Sequence, residues 1–224
     1  MFTIKFPGVE YKAETPLSVY DAAKNAGIID RSAIAALVGD TPVDLTHILD
    51  SDAEVKLLTF DEPEGAHVFR HTAAHIMAQA VKRLYPEVKL TIGPALENSF
   101  YYDFDSDVTF TPEALKAIEA EMTKIVKENL KIERFTLPRE EAVKFMTERN
   151  EPYKVQLINE LPEDAVISFY RQGEYVDLCT GPHLFSTGIV KAFALTQCTG
   201  AYWKGDQNNK MLQRIYGLAF PKKE

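Results

Sequence analysis

His71 and His75 stand four residues apart, the spacing that puts two side chains on one face of a helix. A helix from about Ala66 to Tyr85, stopped by Pro86, would carry Phe69, Ala73, Ile76, Met77, Ala80 and Leu84 along one apolar face. The two imidazoles fall roughly opposite that face, beside the small Ala74 and Ala78. One reading is two solvated histidines on a polar face. The other is a ligand or acid–base pair lining a pocket closed by another part of the domain. His67 lies one turn earlier and is read as solvated.

A second pair has the same spacing. Cys179 and His183 flank Thr180-Gly181-Pro182, where a strand runs into a Gly-Pro turn. Turns at the edge of a rigid scaffold are a usual place for catalytic groups. Either residue alone reads as a half-buried thiol or a turn histidine. Together the two pairs offer three imidazoles and a thiol, four of the chain's seven His and Cys residues. That set suits tetrahedral zinc if the segments meet. It suits metal-free hydrolysis equally, because imidazole can activate water and imidazolium can stabilise an oxyanion. The residues do not choose between the two.

Other polar groups could join them. Asp177 precedes Cys179 by two, so on a strand both face the same way. Lys154 is expected to begin a strand after Pro152-Tyr153; taken alone it reads as a surface lysine. Tyr101 and Tyr102 lie in an aromatic strand, where alternation sends one ring to each face and core packing claims at least one. Tyr202, Trp203 and Lys204, followed by Lys210 and Arg214, mix aromatics with cations. Such a mixture suits stacking on a single-stranded RNA end.

The elements that must position these residues fall into two blocks. Strands at 2–6 and 9–13 form a hairpin about Pro7-Gly8. Ser18 caps a short helix to about Ala26, with Gly27 at its end, and strand-like pieces follow at 34–38, 41–43 and 54–59. The acidic stretch 61–65, containing Pro63 and Gly65, reads as a boundary, which gives domains 1–62 and 63–224. After the long helix come strands at 88–92 and 100–104. Then comes a helix capped by Thr111 with Pro112 at its first position, a strand at 131–137 and a helix at 138–149. Strands are expected at 154–158, 166–171, 175–178, 190–195, 202–203 and 212–218. This order predicts an α+β fold with a mainly antiparallel sheet packed on helices.

A chain of 224 residues can bury one or two cores. Its 46% hydrophobic and 26% charged content is that of a globular protein. The net charge of −8 argues against coating nucleic acid by bulk attraction, so any RNA contact must be local. Two cysteines imply no disulfide framework and fit a reducing compartment. The start lacks a signal-peptide layout and no stretch is apolar enough to span a bilayer, so a cytoplasmic protein without a membrane partner is expected.

Longer motifs carry a resemblance. HTAAH at 71–75, GPALENSFYYDFD at 93–105, YKVQLI at 153–158, YVDLCTGPH at 175–183 and GAYWKGDQNNKMLQRIYG at 200–217 resemble, in order and spacing, the N-terminal region of bacterial threonyl-tRNA synthetases. The likeness runs along essentially the whole chain. It implies a small ubiquitin-like β-grasp (TGS) domain followed by an α+β editing domain. It implies an editing deacylase that hydrolyses mischarged seryl-tRNA(Thr) and needs no cofactor. The aminoacylation pocket of such an enzyme accepts serine because losing one methyl contact discriminates by only about 1–3 kcal/mol, so a second site must sort by size.

By that resemblance His71, His75, Lys154, Asp177, Cys179 and His183 form the site, and Tyr101 and Tyr102 lie near the terminal adenosine. His71 and Lys154 would position water and stabilise charge. Asp177 and His183 would hold the seryl amine, the hydroxyl or a water, and Cys179 would reject the threonine methyl. Tyr202, Trp203 and Lys204 would bind the tRNA end. The chain departs from the family at Thr180, where Arg is usual, and at Gln197-Cys198-Thr199, where small apolar residues are usual. His67 is no part of the family pattern.

Class II aminoacylation motifs are not found, so the chain is expected not to charge tRNA and to lack the aminoacylation domain with its zinc and ATP chemistry. A full-length synthetase of this kind is expected to be a homodimer. Rival readings are a zinc-dependent deacylase using His71, His75, Cys179 and His183, as in alanyl-tRNA synthetase editing domains, a freestanding trans-editing protein, and a non-catalytic binding or regulatory module.

Overall fold

A computed structural model describes residues 1–222. They form two compact units: Met1–Phe69 with Gly181–Phe185, and Arg70–Thr180 with the described residues from Ser186 onward.

In the first unit β1 (Phe2–Phe6) and β2 (Val9–Ala13) form the hairpin expected from Pro7-Gly8. Gly8 takes φ +79°, a conformation that costs a residue without Cβ little. A two-residue strand β3 (Leu17–Ser18) leads into α1 (Val19–Asn25). The Ser18 hydroxyl accepts the Asp21 N–H at 3.0 Å, the expected cap. Strands β4 (Ala35–Val38), β5 (Thr41–Val43), β6 (Ile48–Leu49) and β7 (Ala53–Leu58) follow. The main sheet runs β2-β1-β7-β4-β5, with β1 and β7 parallel and the other pairs antiparallel. Ile4, Phe6, Val19, Ala22, Leu45 and Val55 are buried together against it. β3 and β6 pair with each other. Two residues are too few to show an alternation in the sequence.

Helix α2 (Pro63–Leu84) carries the histidine pair. It starts three residues before the expected Ala66, with a proline in its first turn, where the missing N–H has no intrahelical partner to lose. Every residue from Thr72 to Val81 is buried, so the helix is enclosed by protein on all sides, and it buries the polar Thr72, His75 and Gln79 with the apolar residues. Leu84, placed by periodicity on the buried face, is instead exposed near the helix end.

The rest of the second unit comprises β8 (Lys89–Leu90), β9 (Phe100–Asp105), α3 (Pro112–Glu128), β10 (Ile132–Thr136), α4 (Arg139–Glu148), α5 (Pro152–Glu160), β11 (Ser168–Gln172), β12 (Tyr175–Leu178), β13 (Ala192–Tyr202) and β14 (Met211–Phe220). Thr111 caps α3 as expected, its hydroxyl accepting the Ala114 N–H. Two antiparallel sheets result, β10-β11-β12 and β13-β14-β9-β8. The strands expected at 190–195 and 202–203 lie within or next to the single long β13, whose bulge between Leu195 and Gln197 interrupts the alternation.

The structure corrects one assignment that matters. Residues 154–158 are not a strand but the middle of α5. The local alternation misleads, because Pro152 sits in the first turn of a helix and the buried positions are Lys154 and Ile158, four apart. Taken together the described residues are α+β, with several antiparallel pairs and five helices.

Candidate functional site

Three elements of the second unit converge on one carboxylate. Asp177 lies on β12, 2% exposed. Tyr102 from β9 donates its hydroxyl to Asp177 Oδ2 at 2.8 Å. Tyr175, two residues before Asp177 and so on the same strand face, donates to the same oxygen at 2.8 Å. Lys154 from α5 sets its Nζ 2.6 Å from Oδ1, and His75 Nε2 from α2 lies 3.5 Å from Oδ2. All five side chains are buried.

The charges follow from that packing. Burial pushes the Asp177 carboxyl up, but Lys154, His75 and the donated hydrogen bonds outweigh it, and the net shift is below the ordinary carboxylate range. Burial lowers the His75 imidazole to about 4; Asp177 opposes this and Lys154 adds to it. His75 is therefore neutral at neutral pH. Burial, with Asp177 next, holds both tyrosine hydroxyls well above their ordinary value, so they act as donors.

One turn before His75, His71 is only half-buried, and its Nε2 lies 3.4 Å from Cys179 Sγ just past the end of β12. The two imidazole rings meet edge to face, centroids 5.1 Å apart. Donor atoms of His71, His75 and Cys179 all lie within 4.8 Å of one another. The site thus grades from a sealed ion pair to a half-open imidazole–thiol pair. Such a gradient holds charge in place at one end and leaves reactive groups reachable at the other.

His71, His75, Lys154, Asp177, Cys179 and Tyr102 are therefore brought together. Of the two readings of the histidine pair, two solvated residues on a polar face does not describe His75. His183 is buried in the segment 181–185 and donates its backbone N–H to Asp44 Oδ1 at 2.6 Å. Tyr101 faces the other way. Its ring lies under the Arg214 guanidinium at 3.9 Å, and Arg214 in turn makes two hydrogen bonds to Asp103.

Tyr202, Trp203 and Lys204 stand at the turn between β13 and β14. Trp203 is 5% exposed, packs edge-on against Tyr153 and donates its indole N–H to Gln156. Lys204 pairs with Glu160 at 2.5 Å, and Tyr202 is exposed. Trp203 is thus held by α5 rather than presented to solvent.

Tyr175 was missed. The alternation that aligned Asp177 with Cys179 extends one step back to it. Glu151, a buried carboxylate paired with Lys82 at 2.9 Å, was missed too; only its place before Pro152 hinted at the fold.

Residues 167–216, which include Asp177 and Cys179, match the family described as "Threonyl and Alanyl tRNA synthetase second additional domain". The threonine–tRNA ligase of Clostridium kluyveri is 56% identical over 217 residues, 96% of this chain and 34% of that protein. The chain is homologous to threonine–tRNA ligases. The Clostridium tetani ligase is 61% identical over 193 residues, 86% of this chain and 30% of the relative. That of Caldanaerobacter subterraneus is 54% identical over 217 residues. The homology thus runs along nearly all of this chain, which spans about a third of the length of these ligases. Among the described residues no helix is long and apolar enough to cross a membrane.

Proposed function

We propose that the chain is the editing part of a threonyl-tRNA synthetase and hydrolyses the ester in seryl-tRNA(Thr). The observation that carries this is the half-open His71–Cys179 pair set beside a sealed Lys154–Asp177 pair, in a chain homologous to threonine–tRNA ligases. Residues 1–62, the greater part of the first unit, are the ubiquitin-like TGS domain, and residues 63–224 are the editing domain. A five-stranded sheet with a parallel pair and one helix supports the first assignment. The partner is the acceptor end of tRNA(Thr), with the tRNA end near Lys204 and the exposed Tyr202; the buried Tyr102 and Trp203 hold the surrounding elements in place rather than contacting it.

In this reading His71 takes a proton from water as the water oxygen attacks the ester carbonyl carbon. The carbonyl oxygen becomes anionic and is stabilised by the Lys154 ammonium. The bond from that carbon to the ribose oxygen then breaks, and the ribose oxygen receives the proton from His71. The products are serine and tRNA with a free terminal hydroxyl. Asp177 holds Lys154 as an ion pair through Oδ1, while its Oδ2 accepts the two tyrosine hydroxyls. Cys179 narrows the wall against the threonine methyl, and His183, four residues further along the chain, holds the seryl hydroxyl or a water. No cofactor takes part.

A zinc-dependent deacylase using His71, His75, Cys179 and His183 is the second reading, favoured by the close donors of His71, His75 and Cys179 in the second unit. Tetrahedral zinc bonds put neighbouring donor atoms roughly 3.3–3.6 Å apart, and Cys179 and His71 already stand at 3.4 Å. Three of these donors would hold the metal and leave it a place for a water, whose pKa it would lower. The two readings part on one assay: ester hydrolysis by the purified chain with and without a chelator, using seryl-tRNA(Thr) and threonyl-tRNA(Thr). The first requires serine-selective loss that the chelator leaves unchanged and His71→Ala abolishes. Loss that stops with chelator moves the zinc reading to first place.

A further inference from the structure

The geometry points to Tyr175 as a positioning residue that acts through Asp177 to hold the Lys154 ammonium in place. This rests on the deacylase reading for its consequence in turnover, but the clamp itself stands on contacts alone. A carboxylate has about four lone-pair sites. At Asp177 two of them, both on Oδ2, take the hydroxyls of Tyr102 and Tyr175, each at 2.8 Å. The opposite oxygen takes Lys154 at 2.6 Å. The two phenols approach from different elements, β9 and β12, so the carboxylate cannot swing about its Cβ–Cγ bond without breaking one of them. With Oδ2 pinned, Oδ1 has one place to be, and Lys154, arriving from α5, has one place to dock.

Two phenols on one oxygen are more than packing requires. A buried hydroxyl needs only one acceptor. What a second donor on the same oxygen adds is orientation of the carboxylate and support for its negative charge, because hydrogen bonds to an ionised group are the strong ones. Tyr175 contributes a further constraint. Its ring meets the His75 ring edge to face at 5.7 Å, so one side chain fixes both the carboxylate and the neighbouring imidazole. On another side the Tyr175 ring helps line a cavity of about 400 Å³ together with Gln79, Lys82, Arg83 and Glu151. Removing the whole ring would therefore open that wall, whereas removing the hydroxyl alone tests the clamp.

The experiment uses Tyr175→Phe, Asp177→Asn and the double variant in the full chain, with two readouts. The first is kinetic. Tyr175→Phe is expected to lower kcat on seryl-tRNA(Thr) about tenfold, with KM within a factor of two. In the Asp177→Asn background the same change is expected to add no further loss, because its effect runs through the carboxylate. The second needs no activity: acylation of Lys154 by an amine-reactive reagent, read by peptide mass spectrometry. Lys154 should be protected in the parent chain and modified several-fold faster in Tyr175→Phe.

Unchanged turnover and unchanged Lys154 protection in a folded Tyr175→Phe variant would overturn the inference. So would kinetic losses that multiply independently with Asp177→Asn. Faster Lys154 modification in Tyr175→Phe than in the parent, when the parent hydrolyses neither ester, would uphold the clamp and sink the deacylase reading instead.

Discussion

Lys154 Nζ lies 2.6 Å from Asp177 Oδ1, with both side chains almost sealed from solvent. Each charge is tolerable in that place only because of the other. Lys154→Met should therefore destabilise the chain by about 3–5 kcal/mol, since it strands a buried carboxylate. Combining it with Asp177→Asn should recover much of that loss. Urea denaturation of the four-member set measures both, and equal stability of Lys154→Met and the parent chain would contradict the pairing.

Acid should loosen the fold before ordinary carboxylates titrate. His75 is held at about 4 in the folded chain, below the usual imidazole value of 6.5. The unfolded chain thus takes up its proton first as pH falls. The stability contributed by neutral, buried His75 is whole above pH 6.5 and is lost progressively down to about pH 4. The shift corresponds to roughly 3 kcal/mol. Asp177 works in the same direction lower down, because its depressed carboxyl is protonated only below the ordinary range. Thermal melts of chelator-treated protein across pH 4–7, beside His75→Gln, check this. The variant should show a flatter profile in that window.

Gly93 is packed against Tyr102 so closely that a Cβ would strike the ring at Cδ2. Gly93→Ala should push Tyr102 off Asp177 as well as overpack the core, at a cost of about 1–3 kcal/mol. Hydrolysis should fall more than in Tyr102→Phe, which keeps the ring in place. A Gly93→Ala chain with parental stability and turnover would show that the Tyr102–Asp177 contact does not depend on this close approach.

The sequence made part of this site legible. Helical spacing aligned His71 with His75, and strand alternation aligned Asp177 with Cys179. Caps and turns were read well, because Ser18, Thr111 and Pro7-Gly8 act through their own local chemistry. Lys154 was harder. Its neighbours alternate like a strand, and only the fold shows that a buried lysine four residues before Ile158 lies on one helix face. Burial of His75 could not be read either, since a helix surrounded on all sides has no polar face to betray it. The Asp177 clamp draws on β9, β12 and α5, and no local pattern joins segments 75 residues apart. Resemblance brought Tyr102, Lys154 and Asp177 together; it did not say that two phenols converge on one oxygen of the carboxylate.

The most direct test of the central claim is ester hydrolysis by the purified chain at high protein concentration. Seryl-tRNA(Thr) and threonyl-tRNA(Thr) are compared with and without chelator, beside His71→Ala and Lys154→Met. Loss of the seryl ester alone, indifferent to chelator and gone in His71→Ala, is the expected result. Equal loss of both esters, or none from a folded chain, would contradict it.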